Sequence, residues 1–375
     1  MILIAKELAD VVIESGARSL AVVGTAKNVG KTVTMNYLVS ELSSRGLTVG
    51  LVSSGRDGET VDSFTGEPKP SVIPPPGTWI ATAEGVLRES GTCLEITDVL
   101  ERTGIFGRLV LGRVVDSIPI ELVGPRSARE LSSLVKKLLA FGADIVLVDG
   151  ALDRRAAASP QVTDAAILAT GAAAQGNLNS LAEEIGFLVW LLSRQEPENR
   201  LLRDLTRKAM DKGVVCFVDS ACHNTVHYSG SSNHPASSNR LVLRPTRYHT
   251  ALGNEDAILE EAEQAIAVTI PGAVNQVFLR KVRSWVEDAE FSVVARDAVS
   301  IFADRDPGIN LYVTEGMNLL AVTANPMSYM GISHDPAHMV SSISSALSSL
   351  GYPLPVFDVV SGEKSVKGVA EMAMG

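Results

Sequence analysis

Nine residues, GTAKNVGKT from Gly24 to Thr32, constrain this chain more than any other segment. They stand between a short apolar run, Leu20 to Val23, and a stretch that repeats Met35, Leu38, Val39 and Leu42 at helical spacing. A strand, a glycine-bounded loop and a helix in that order turn backbone amides toward one point and aim a helix N-terminus at it. That arrangement binds phosphate. Gly24, Thr25, Ala26, Lys27 and Asn28 would form the turn, Val29 and Gly30 its exit, and Lys31, Thr32 and Val33 the start of the helix. Lys31 has the reach to hold the terminal phosphates of ATP, and Thr32 offers a hydroxyl to Mg2+, a cation that prefers oxygen ligands. Five residues separate Gly24 from Gly30, one more than the usual spacing, with Thr25 in the usual glycine place.

A second segment supplies a carboxylate. In ADIVLVDGA, Ala143 to Ala151, four consecutive apolar residues predict a buried strand that delivers Asp149 toward its C-terminal end. A carboxylate there can hold a magnesium-bound water opposite a phosphate loop. After another strand, Thr48 to Val52, the run SSGRDGE carries Asp57 and Glu59 on the edge of a parallel sheet where ligands gather. Asp-Gly is also a common turn pair. The candidate catalytic residues are Lys31, Asp149 and Asp57, and the candidate metal ligands are Thr32, Asp149 and Asp57. Arg154 and Arg155 follow Asp149 closely; arginines beside phosphates neutralise transition-state charge, and solvated loop arginines occupy the same kind of position.

The rest of the chain bounds the setting. At 375 residues it is long enough for two or three modules. Hydrophobic residues make up 46% and charged residues 20%, with no apolar run of membrane-spanning length and no basic, cleavable N-terminal signal, so a cytoplasmic protein is expected. The formal charge is −10 and the basic residues are dispersed, which excludes a nucleic-acid surface from the expectation. Cys93, Cys216 and Cys222 form neither an even disulfide framework nor a paired metal knuckle. Cys216, Cys222, His223 and His227 invite a metal reading, but Cys216 lies in an apolar run and the spacing matches no standard site. His334 and His338 are four apart, with Pro336 between them marking where a helix begins.

Alternating strands and helices predict a doubly wound, mainly parallel α/β sheet. An N-terminal helix with Ile4, Leu8, Val11 and Val12 on one face is expected to break at Gly16. After a proline-rich link, short apolar runs at 79–83, 94–99, 109–115 and 118–123 lack helical periodicity and predict an antiparallel β insertion. Ser127 and Glu130 mark a helix start, with Leu131, Leu134, Val135, Leu138 and Leu139 on its apolar face. From Pro271 a helix with Val274, Val277, Phe278, Val282 and Trp285 on one face opens a smaller C-terminal α/β module. The expected domains are therefore 1–65 with 126–270 for the nucleotide, 66–125 for the insertion and 271–375 for the C-terminal module.

The loop spelling GTxxxxGK[ST] resembles that of dethiobiotin synthetase and the related cobyrinate and cobyrate amide-forming enzymes, and VDGA resembles the VEGAGG element of dethiobiotin synthetase, with Asp149 for its glutamate. The resemblance implies an ATP-dependent ligase, yet Leu152 and Asp153 stand where that family has further glycines, and Ser53 and Ser54 where it has a substrate-binding lysine. Some members also use a lysine early in the loop toward a partner subunit; Ala26 occupies that place, with Lys27 one residue later. Taken with SSGRDGE, ANPMSYMGISHDP and PVFDVVSG, the chain is similar to the P-loop subunit of the lysine 5,6-aminomutase reactivase. That resemblance implies an ATP-driven partner of a second subunit related to mismatch-repair ATPases. Together they would release damaged cobalamin from lysine 5,6-aminomutase during lysine fermentation. No Asn-Lys-x-Asp segment for reading guanine occurs, which favours ATP over GTP. A nucleotide-gated binding module with little hydrolysis is a third reading of the same loop.

Overall fold

The computed structural model describes residues 7–55, 71–90, 93–104, 107–125, 127–151, 155–174, 177–221, 240–286, 291–327 and 333–360. Apolar periodicity accounts for its first elements. Helix α1 (Leu8–Glu14) buries Leu8, Ala9 and Val12 and stops before Gly16, where φ is 67°. Strand β1 (Ser19–Gly24) is buried along its whole length, as a strand covered on both faces must be. Helix α2 (Lys31–Ser44) buries the expected stripe of Met35, Leu38, Val39 and Leu42.

The chain continues through β2 (Val49–Ser53), β3 (Trp79–Ala83), α3 (Glu84–Ser90), β4 (Leu94–Gly104) and β5 (Gly107–Val114). Helix α4 (Ala128–Ala140) starts where the Ser127 hydroxyl accepts the Glu130 amide, and its turn at Gly142 has a φ of 103°. Then come β6 (Ile145–Ala151), β7 (Ala165–Gly171), α5 (Leu178–Leu192), α6 (Arg200–Asp211), β8 (Cys216–Ala221), β9 (Arg240–Pro245) and α7 (Glu255–Glu260). Strand β10 (Ala265–Ile270), β11 (Val274–Asn275), α8 (Gln276–Trp285), β12 (Ser292–Asp297), β13 (Ile301–Phe302) and β14 (Asn310–Glu315) lead to β15 (Asn318–Asn325), α9 (Pro336–Ser349) and β16 (Val356–Asp358).

Two compact units result: one runs to Trp190 and resumes at Met317, and the other is Leu191–Gly316. In the first, the described residues form a mostly parallel sheet of nine strands in the order β16-β15-β7-β1-β6-β2-β3-β5-β4. Every neighbouring pair from β16 to β3 is parallel, and β3-β5 and β5-β4 are antiparallel. Leu20, Val22, Met35, Leu38, Leu147, Ile167 and Ala321 share one buried cluster, which seats α2 on the centre of the sheet. Burying side chains of this size contributes roughly 1.5–3 kcal/mol each.

The second unit has its own sheet, β14-β12-β10-β8-β9 among the described residues, with β14, β12 and β10 parallel and the other two pairings antiparallel. Arg244 on β9 holds β8 through a bidentate bond to Asp219 (2.6 and 3.0 Å) and lies over the Phe217 ring. Asn275 caps α8 by accepting the Phe278 amide at 2.8 Å. The helix buries Phe278, Leu279 and Val282, whereas Val277 and Trp285 are exposed and Val274 belongs to β11. The expected apolar face of this helix is thus displaced by about one residue.

The units divide the chain differently from the expected domains. Strand β3 pairs with β2 in parallel and with β5 in antiparallel, so residues 71–125 extend the main sheet at one edge and are not set apart from it. The run 118–123 contributes only a bridge from Ile120 to Val72, and a helix, α3, lies where only strands were expected. The expected boundary at 271 falls inside the second unit. Strands β15 and β16, expected in a C-terminal module, pair with the first sheet. No helix among the described residues is long and apolar enough to cross a membrane.

Candidate functional site

Strand β1 lies between β6 and β7, and its chain neighbours part at this point: β2 lies to one side beyond β6, and β7, β15 and β16 lie to the other. Such a parting leaves a crevice at the C-terminal ends of parallel strands, where ligands of open α/β sheets bind. The segment Gly24–Thr32 emerges there. Gly24 is level with Ala151 on β6 and Ala169 on β7.

Local conformation explains the spelling of the loop. Gly24 is close-packed, since a β-carbon there would lie 3.2 Å from both the Ala26 carbonyl and a Val29 methyl. Asn28 is left-handed, with φ of 59°, a region asparagine tolerates better than most residues. Gly30 is the residue that enters α2, with φ of 90°, and no side chain caps the helix. Amides in the first turn of a helix have no intrahelical acceptor, so the Lys31–Val33 turn presents donors and the positive end of the helix dipole. Val29 is buried, Thr32 and Val33 are half-buried, and Ala26 and Lys27 are exposed.

Thr25 has a different place from the one expected of it. Its amide donates to the Ala169 carbonyl at 2.9 Å and its hydroxyl to Thr170 at 3.3 Å, so both groups are committed to β7. Thr25 anchors the loop to the sheet.

The two charged candidates meet. Lys31 Nζ lies 3.1 Å from Asp149 Oδ1, with 15% and 24% of the two side chains exposed. Asp149 is level with Val22 on β1 and Ser53 on β2, so it comes up one strand away from the loop. Its backbone carbonyl accepts both the amide of Ser54 at 2.8 Å and the Ser54 hydroxyl at 3.2 Å. Gly150 has a packing reason: a β-carbon would sit 2.6 Å from that of Ala157. Gly124 closes the other side of the Ser53–Gly55 segment, donating to Gly55 at 3.1 Å. A β-carbon at Gly124 would meet the Ser53 carbonyl at 1.6 Å.

Asp57, Glu59, Arg154 and Tyr329 lie outside the described residues, as do Cys222, His223 and His227. Cys216 is buried in β8, and burial pushes its thiol above the ordinary range, away from the thiolate that a metal needs. His338 lies in α9 while His334 precedes it, and the N-cap Asp335 accepts the His338 amide at 2.7 Å.

The sequence reading missed the wall behind the loop, which β15 supplies. A β-carbon on Gly30 would come within 2.7 Å of the Asn325 β-carbon, and one on Gly171 within 2.9 Å of the Asn325 carbonyl and 3.0 Å of the Val29 carbonyl. Asn325 also accepts the Ala172 amide at 2.9 Å. The signal available in sequence was a threonine and an asparagine in an otherwise apolar run, LLAVTAN. An anion seated at Gly24–Thr32 would find first-turn amides and the Lys31 ammonium, with the Asp149 carboxylate 3.1 Å from that ammonium as an oxygen donor of the kind magnesium takes. No family model matches the chain, and comparison with curated proteins and with solved structures finds no match.

Proposed function

We propose that this chain is a P-loop protein of the doubly wound α/β class that binds ATP with magnesium and hydrolyses it. We further propose that it serves as the nucleotide-driven subunit of a reactivating factor for an adenosylcobalamin-dependent lysine 5,6-aminomutase. The observation that carries the nucleotide reading is the 3.1 Å contact between Lys31 and Asp149 at the C-terminal end of the central strands. A lysine and a carboxylate from separate elements meet beside a helix start that has no side-chain cap, which is the polarity a magnesium-phosphate pair requires. The client enzyme rests on the sequence resemblance.

In this reading Lys31 leaves Asp149 when ATP arrives and neutralises the β and γ phosphate oxygens. Asp149 and Thr32 would hold magnesium, with Asp57 as a further candidate. Magnesium, when bound, supplies positive charge to the phosphates. The loop amides orient the phosphate chain, and Ser54 keeps the Asp149 backbone fixed while its carboxylate changes partner.

The test is equilibrium binding of ATP with and without magnesium, followed by phosphate release. The Lys31→Ala variant is expected to bind at least about tenfold more weakly, because it loses charge-assisted bonds. For the client, the protein, its second subunit, MgATP and an inactivated aminomutase are mixed, and recovered activity and cobalamin exchange are measured. Equal recovery without ATP, or with Lys31→Ala, refutes the reactivase reading.

A further inference from the structure

Two pairs of buried threonines fasten the loop and its helix to the sheet. Thr34, in the first turns of α2, lies 2.9 Å from Thr323 on β15, hydroxyl to hydroxyl, across 289 residues of sequence. The Thr34 hydroxyl also donates to the Gly30 carbonyl at 3.2 Å. A hydroxyl has one hydrogen, so with Thr34 donating to Gly30 the donor between the two threonines is Thr323. A directed chain therefore runs from the Thr323 hydroxyl through Thr34 to the carbonyl of Gly30, the residue that enters α2. Thr34 is 1% exposed and Thr323 0%, so water does not replace either partner.

The second pair, Thr25 with Thr170, stands on the other face of the sheet. Thr323 is level with Ala169, and Thr170 is the next residue along β7; successive side chains of a strand point to opposite faces. The loop is thus held from one face at its start and from the other face at its exit.

We propose that Thr34 and Thr323 are positioning residues of the nucleotide site, an inference that rests on the nucleotide reading above. Their hydroxyl chain fixes the rotation and depth of the first turn of α2 against β15. The directions of Lys31, three residues before Thr34, and of Thr32 follow from that rotation. Neither threonine touches the ligand. A core seam that served packing alone would use valine, which has the same shape and buries no hydroxyl. Two hydroxyls in that place set one orientation, because a rotated helix carries Thr34 and its Gly30 bond away and leaves the buried Thr323 hydroxyl without that partner.

The experiment measures affinity for a fluorescent ATP analogue with magnesium, and thermal unfolding, in wild type, Thr34→Ser, Thr34→Val, Thr323→Val and the double valine variant. Thr34→Ser keeps the hydroxyl and is expected to bind as wild type. Thr34→Val and Thr323→Val are each expected to bind about tenfold more weakly and to melt lower, the first by leaving the buried Thr323 hydroxyl without its acceptor and the second by removing the bond that ties Thr34 to β15. The double valine variant recovers thermal stability, since both polar groups are gone, but keeps the affinity loss. That divergence separates positioning from packing. Unchanged affinity in Thr34→Val, or an affinity that returns with stability in the double variant, overturns the inference while leaving the nucleotide reading intact. A wild-type protein that binds no MgATP overturns both.

Discussion

Gly30 shows how a single position meets two constraints at once. Its φ of 90° lies where an L-residue is strained, and its α-carbon faces Asn325 so closely that a β-carbon would come within 2.7 Å. Gly30→Ala is therefore expected to lower stability by about 1–3 kcal/mol from backbone strain, with more from the contact, in denaturant unfolding. Asn28→Gly is the matched control: the same left-handed region is free to glycine, so its stability should change by less than about 1 kcal/mol. Equal losses in the two variants would sink the argument. At this scale the sequence was informative where chemistry is local. The loop residues, Lys31 and Asp149 are recognisable because residue type and flanking periodicity stand side by side. Thr323 and Asn325 are not, because their meaning comes from a strand that approaches the loop only after the whole second unit has intervened, and Thr170 is not, because its partner Thr25 lies 145 residues earlier. Thr25 reads as a loop residue in sequence, yet its amide belongs to β7, and spacing alone does not say which donors a neighbouring strand has taken.

Elements were legible as types more often than as neighbours. Trp79–Ala83 and Gly107–Val114 carry the apolar content of strands whether they form an insertion or the edge of a large sheet, and only pairing with β2 decides. Helix α3, EGVLRES, is too short and polar to show a period, and the buried face of α6 mixes Thr206 and Ala209, weak apolar markers, with Leu202 and Met210. In α8 the buried face departs from the expected stripe because Val274 belongs to β11 and the helix begins only at Gln276. The edge itself suggests a test. Lys137 on α4 donates to Asp98 on β4 at 2.6 Å, and this hydrogen bond, with the nearby ammonium charge, holds the Asp98 carboxyl below its ordinary range. A carboxyl depressed in the folded state stabilises above its unfolded pKa and loses that contribution as pH falls through the folded value. Both side chains are about a third exposed or more, so screening keeps the effect within about 1 kcal/mol. Asp98→Asn is expected to melt slightly below wild type at neutral pH and to match it once the carboxyl is protonated. A gap that persists in acid would show that packing, and not charge, joins α4 to this edge.

At the scale of the whole molecule, the second unit is an insertion in a strand crossover. Strands β7 and β15 are parallel neighbours, and the chain between them forms α5, then the five-stranded sheet of residues 191–316, before it re-enters at Met317. A parallel pair needs a crossover in any case, and a crossover tolerates length, since loop-closure entropy grows slowly with it. The inserted unit repeats the strand and helix alternation of its host, which is why sequence placed the boundary at 271 and left β15 on the wrong side. The consequence is energetic. All the residues assigned to the nucleotide, and the β15 wall behind them, lie in the first unit, so a ligand adds its binding free energy to that unit. MgATP at a hundred times its dissociation constant contributes about 2.7 kcal/mol, close to a hundredfold slowing of exchange for amides released by unfolding of the binding unit. Hydrogen exchange with and without MgATP should therefore slow strongly at Ser19–Gly24, Ile145–Ala151, Ala165–Gly171 and Asn318–Asn325, and leave Ala265–Ile270 and Ser292–Asp297 nearly unchanged. Equal protection in both sets would mean that the two units unfold as one, and that the inserted unit shares in whatever the nucleotide drives. Protection confined to the second set would place the ligand away from the loop altogether. The first pattern instead means that the ligand's binding free energy stays within the first unit and that the inserted unit keeps its own stability.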